Sequence, residues 1–191
     1  MAPRSSYSDF LKADLGGMID ALGLAELQKH MVRARWLDQV LWMERRANAA
    51  RDRYYALRLT TIVGGVILPA LVSLNVSDSA TAGPIVRWTT FGLSLMVALT
   101  AAVEEFFHYG ERWRHYRRTV EWLKSEGWEY FQLGGPYRRY KTHAEAYPAF
   151  AGRVEEIIQR DIDQYVTKVV QEQTETKSDK EKQGEAKPAV P

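Results

Sequence analysis

Glu104, His108, Glu111 and His115 are the densest cluster of chemically capable side chains in the chain. Spaced four, three and four apart, they share one face if a single helix carries them all. Carboxylate and imidazole groups in such a stripe can ligate a divalent metal. The same residues also form two ordinary i,i+4 pairs, Glu104–His108 and Glu111–His115, on a solvated helix. The second reading is preferred, so no metal site is expected and the four stand only as candidates for one. The sequence has no Gly-rich phosphate loop, no Walker pattern and no Gly-x-Ser-x-Gly, and it has no cysteine. Thiolate ligands, thiol nucleophiles and disulfides are excluded. No catalytic residue, no cofactor and no enzymatic activity are expected. A metal-dependent membrane enzyme using the Glu–His stripe stands third among the functional readings.

Glu104 and Glu105 have a second use. They directly follow an uncharged run, Trp88 to Val103. Copies of the chain arranged in a ring would place these carboxylates at one mouth of a water path, where they would favour cations. Thr60, Thr61, Ser73, Asn75, Ser94 and Thr100 are the polar residues in and beside the apolar runs that could line such a path. The competing reading is that their side chains bond their own helix or a neighbouring one.

The elements that must position these residues are two apolar runs. Leu59 to Val76 holds about 18 residues without a charge, and Trp88 to Val103 about 16. These lengths suit two membrane spans, about 59–76 and 86–105, joined by the turn NVSDSATAGPIVR. The pattern predicts a transmembrane helical hairpin, against the alternative of a buried hairpin in a soluble bundle. Arg45, Arg46, Arg51, Arg53 and Arg58 precede the first run, and Arg112, Arg114, Arg117 and Arg118 follow the second. The turn carries only Asp78 and Arg87. Positive charge stays cytoplasmic, so both termini are expected in the cytoplasm. Tyr54, Tyr55, Phe106, Phe107, Tyr109 and Trp113 sit where an interfacial aromatic belt belongs.

Composition bounds the rest. The 191 residues carry a net charge of +2, which permits one domain of ordinary size and argues against nucleic acid as a partner. The mean hydropathy of -0.37 leaves most of the chain outside a bilayer. The N-terminus lacks an apolar core with a small-residue cleavage site, so the first span is expected to be an uncleaved anchor.

Residues 1–17 read as a loose N-terminus. Residues 18–170 form the expected two-transmembrane domain with a cytoplasmic helical bundle. Residues 171–191, QEQTETKSDKEKQGEAKPAVP, read as a disordered tail. A continuous helix is expected from about Trp36 to Ser73, some 55 Å at 1.5 Å per residue, with Pro69 near its far end. Its seam would run through Trp36, Val40, Met43, Ala47, Ala50, Tyr54 and Leu57, then Thr61, Gly64, Leu68 and Leu71. The second helix would carry a seam through Leu95, Leu99, Ala102, Phe106, Tyr109, Trp113, Tyr116, Val120 and Leu123. It would end near Gly127, or at the latest at Gly134-Gly135-Pro136. Pro148 would open a third helix with Phe150, Val154, Ile157, Ile158, Ile162 and Tyr165 on one face.

The run RWLDQVLWMERRANAARDRYYALRLTTIVGGVILPAL, followed by EEFFHYGERWRHYRRTVEWLKSEGWEYF, resembles a bacterial two-transmembrane family, domain of unknown function 4231 (DUF4231). That family lies within the wider SLATT group (SMODS- and SLOG-associating two-transmembrane effector). The resemblance rests on Trp36, Asp38 and Gln39, on Arg53, Tyr54, Tyr55 and Pro69, and on Glu111, Arg112, Trp113, Tyr116, Arg117, Glu121 and Leu123. It spans about Leu24 to Tyr165. It implies a membrane-embedded homo-oligomer that forms pores in nucleotide-linked defence systems. No fused sensor domain is evident, so a trigger would come from a regulatory partner or ligand. The fold expected is all-α. The function expected is an oligomeric ion-conducting channel or pore-forming effector in the inner membrane, in contact with lipid. The alternative is a membrane-anchored, non-conducting scaffold.

Overall fold

The computed structural model describes residues 7–73 and 82–185, with side chains described for 7–73 and 83–164. These residues are all-α, without a strand among them. The helices are α1 (Tyr7–Ala21), α2 (Glu26–Met31), α3 (Asp38–Ser73), α4 (Ala82–Phe107), α5 (Tyr109–Phe131) and α6 (His143–Glu185). A π-helical turn, Val32–Leu37, joins α2 to α3, and a 3-10 turn, Gly135–Tyr137, precedes α6. The chain divides into two compact units. One is a helical hairpin built on Leu41–Val120, and the other is a helical bundle built on Phe10–Val40 and Glu121 onward.

The bundle's core is aromatic. Trp36 is buried and donates its indole Nε1–H to the Leu123 carbonyl at 2.8 Å. Its ring meets Phe131 and Phe150 edge-on, with centroids 5.4 and 6.1 Å away. Tyr130 stacks on Phe150 at 4.2 Å. Gly127 makes this packing feasible, because a Cβ there would lie 2.1 Å from Trp36 Cζ2. The helix passes through Gly127 and ends at Phe131. It ends with Leu133 in the left-handed region (φ 47°) and Gly134 N–H donating to Glu129 O at 2.7 Å. This is a helix stop of the Schellman type.

Three further expectations are corrected. Residues 7–17 are helical, not loose, because Leu11, Leu15 and Ile19 recur every fourth residue and are buried. That burial outweighs the roughly 1 kcal/mol each that Gly16 and Gly17 cost a helix. Pro148 lies inside α6, whose start is set earlier: Thr142 Oγ1 accepts from Glu145 N–H, and Glu145 accepts from Lys141 N–H. The helix α6 also runs to Glu185, past residue 171 where composition predicts a disordered tail. The Glu, Gln and Lys residues of that stretch are good intrinsic helix formers.

In the hairpin unit, α3 buries Met43, Glu44, Ala47 and Ala50, the expected seam with one acid added. Toward its far end Thr61, Leu68 and Leu71 are half-buried and Gly64 is buried, in the same phase. Pro69 lies inside the helix, as expected. The second leg differs. It is two helices, not one, broken at His108, which sits in the left-handed region at φ 50°. In α4 the inward side chains include Val86, Thr90, Leu93, Val97, Thr100 and Glu104, while Leu95, Leu99, Ala102 and Phe106 are exposed. Beyond the break Tyr109, Trp113 and Tyr116 are half-buried and Val120 is buried, in the expected phase. His108 shifts the register by two residues.

Candidate functional site

The candidate site is the far end of the hairpin, where the apolar runs lie. From Leu59 to Ser73 only Gly64 is buried, and from Gly83 to Phe107 no residue is. Both α3 and α4 are long and apolar enough to cross a membrane. Their outward residues are aliphatic and aromatic, including Val66 at 72% exposed and Trp88 at 66%. A core helix in a soluble protein hides its apolar side chains. These helices present theirs outward, and exposed apolar surface of this kind marks contact with lipid or with another protein.

Close packing holds the two legs together. A Cβ on Gly64 would lie 2.3 Å from Val97 Cγ2, so the α4 side chain occupies the space that glycine leaves. One turn away, Thr61 and Thr100 hydroxyls meet at 3.2 Å. Of the candidate lining residues, these two are brought together, between the legs. Each also bonds its own helix, Thr61 to Leu57 O at 3.0 Å and Thr100 to Met96 O and Val97 O at 3.0 Å. Thr60, Ser73 and Ser94 donate to Ala56, Ala70 and Thr90 carbonyls, each at 2.8 Å. Asn75 lies outside the described residues.

Glu104 is half-buried at the end of the α4 seam, and Glu105 beside it is exposed. The break at His108 separates Glu104 from Glu111 and His115, so the four do not share one continuous helical face. The His108 ring instead turns back toward the Phe106 carbonyl, 3.3 Å from Nδ1. Among the described residues no group of three or more His, Asp or Glu could hold a metal ion.

An aromatic collar follows the apolar segment. Tyr54 stacks on Trp113 at 6.3 Å, and Tyr55 lies 5.8 Å from the same indole. Phe107 stacks on Tyr109, and the Arg53 guanidinium lies over the Tyr109 ring at 5.7 Å. The Tyr54 ring fits where Gly110 has no side chain, since a Cβ there would be 2.9 Å from it. Below the collar, buried Glu44 accepts from Arg117 Nη1 at 3.0 Å. The sequence reading missed both contacts. Their signals were a glycine between aromatics and an acid four residues after Val40, in phase with the seam.

The bundle holds a separate polar network. Glu126 is buried and accepts two bonds from Arg153, at 2.5 and 2.9 Å, and one from the Tyr137 hydroxyl. Burial first, then the bond to Glu126, pushes the Tyr137 phenol well above its ordinary range. The bond to Glu126 holds the Arg153 guanidinium above its ordinary value. Among the described residues no buried side-chain nitrogen or oxygen lacks a partner. These groups are mutually satisfied and tie α5 to the 3-10 turn and α6.

A family described as protein of unknown function (DUF4231) matches residues 38–145. No curated protein and no solved structure matches the chain.

Proposed function

The chain belongs to the DUF4231 family, and from that premise we propose that it is a membrane-spanning subunit of an oligomeric, ion-conducting pore. The observation that carries this reading is the hairpin whose apolar outward faces are almost wholly unburied. Lipid covers part of that surface. A single hairpin cannot enclose water, so a conducting assembly needs several copies, and the remaining outward faces supply the contacts between them. The arginines flanking both legs support an inner-membrane location with both termini cytoplasmic and residues 74–81 outside. Exposed Glu105 and half-buried Glu104 then border the cytoplasmic mouth, where several carboxylates concentrate cations. Likeness to the SLATT group supports the same class of activity.

A specific observation favours a second reading, a non-conducting anchored scaffold. The Thr60, Ser73 and Ser94 hydroxyls are already bonded to backbone carbonyls. Purified protein in a planar bilayer under a salt gradient separates the two. The pore predicts a cation-selective reversal potential that collapses toward zero in the Glu104→Gln/Glu105→Gln double variant at matched oligomer content. A parent protein silent at every voltage and pH contradicts the pore and leaves the scaffold.

A further inference from the structure

The bundle contains a half-open cavity of about 280 Å3 between Met31–Trp36 and Tyr147–Glu155. That is near the small end of ligand pockets. Trp36 and Phe150, both buried, form its floor, and Val32 and Val154 line its walls. Arg35 and Glu155 close one side of the mouth with a two-pronged ion pair, Nε to Oε1 at 2.5 Å and Nη2 to Oε2 at 2.7 Å. On another side the Tyr147 hydroxyl donates to the Met31 sulfur at 3.2 Å.

We propose that this cavity binds an uncharged, mainly apolar small molecule bearing a carbonyl-type oxygen, its body against Trp36 and Phe150 and its oxygen accepting from Tyr147. Three observations carry the assignment. The charges at the mouth neutralise each other in a bidentate pair, so a charged guest would have to break that pair before making its own. The Tyr147 hydroxyl spends its proton on a thioether, a weak acceptor that a carbonyl oxygen would displace with gain. The segment that carries Val32, Arg35 and Trp36 is a π-helical turn, with Asp38 N–H donating to Arg33 O across five residues. Such turns are rare and lie frequently at functional sites. The floor does not depend on a guest, since Trp36 is fixed by its bond to the Leu123 carbonyl. Ala151 contributes only a methyl group, so the space above it stays open.

Benzophenone is the probe: uncharged, two apolar rings flanking a carbonyl. On irradiation its excited ketone oxygen abstracts a hydrogen, favouring carbons next to a methionine sulfur. The two carbon radicals then combine into an adduct carrying the whole probe. The full chain in lipid vesicles is irradiated over a range of probe concentrations, and the adducts are mapped by mass spectrometry. The expected result is saturable labelling at Met31 and within 147–155, above the unsaturable labelling of the spans by probe dissolved in lipid. Ala151→Trp should abolish the saturable part. Tyr147→Phe, which preserves shape and fold, should weaken half-saturation by about three- to tenfold, the worth of one hydrogen bond. Labelling confined to the spans overturns the site. Saturable Met31 labelling that survives Ala151→Trp, or half-saturation indifferent to Tyr147→Phe, overturns the assigned pose.

Discussion

Single residues carry two of the sharpest expectations. Trp36 fills the space left by Gly127 and bonds the Leu123 carbonyl. Gly127→Ala should therefore destabilise the protein by about 1–3 kcal/mol through overpacking, measured as a shift in thermal unfolding. Gly152→Ala, where a Cβ meets nothing, should not destabilise it. The second expectation concerns acid. The Arg35 hydrogen bond, with its charge, holds the Glu155 carboxyl below the ordinary value of 4.5 against a smaller opposing effect of burial. A depressed folded value means that the pair's contribution is full above the ordinary value and is lost as pH falls through the folded one. Glu155→Gln should lower stability near neutrality and flatten its fall in acid, as read from unfolding midpoints against pH. The Trp36 anchor was legible as the first residue of an apolar seam. The Arg35–Glu155 pair was not, because its partners lie 120 positions apart in the chain and no local spacing links them.

At the scale of elements, the two legs of the hairpin differed in how much the sequence could reveal. Met43, Ala47 and Ala50 stood out because charged residues fill the other faces of that part of α3. Within α4 every face is apolar, so Leu95 and Leu99 were indistinguishable from Leu93 and Val97, the residues that turn inward. The break at His108 was equally hidden, because the left-handed position itself holds neither Gly nor Asn, and Gly110 falls two residues later. A left-handed residue costs an L-amino acid roughly 1–2 kcal/mol, so His108→Gly should be neutral or stabilising and His108→Ile destabilising in thermal unfolding. The interleg seam has its own test. The chain lacks cysteine, so Thr61→Cys with Thr100→Cys creates a pair free of competitors. Their hydroxyls meet at 3.2 Å, and oxidation in membranes should join them within one chain. Adding Gly64→Ile should abolish that link, since even a Cβ there collides with Val97, whereas Gly65→Ile, in open space, should preserve it.

For the whole molecule, the all-α fold and the hairpin were legible because long uncharged runs between arginine clusters have few physical solutions. The candidate lining residues were less so. A sequence shows that Thr60 and Ser94 are polar but not that their hydroxyls close on their own helices. The pore and the anchored scaffold both require that α3 and α4 cross a membrane together and return the chain to the side it left. Single cysteines at Ser79→Cys, in the turn, and Gln159→Cys, on the exposed face of α6, test it in intact bacterial cells with a membrane-impermeant maleimide. The account predicts that position 79 reacts from outside at once and that position 159 reacts only after the membrane is opened. Equal reaction at both positions before opening, or recovery of the protein in the soluble fraction, would contradict it.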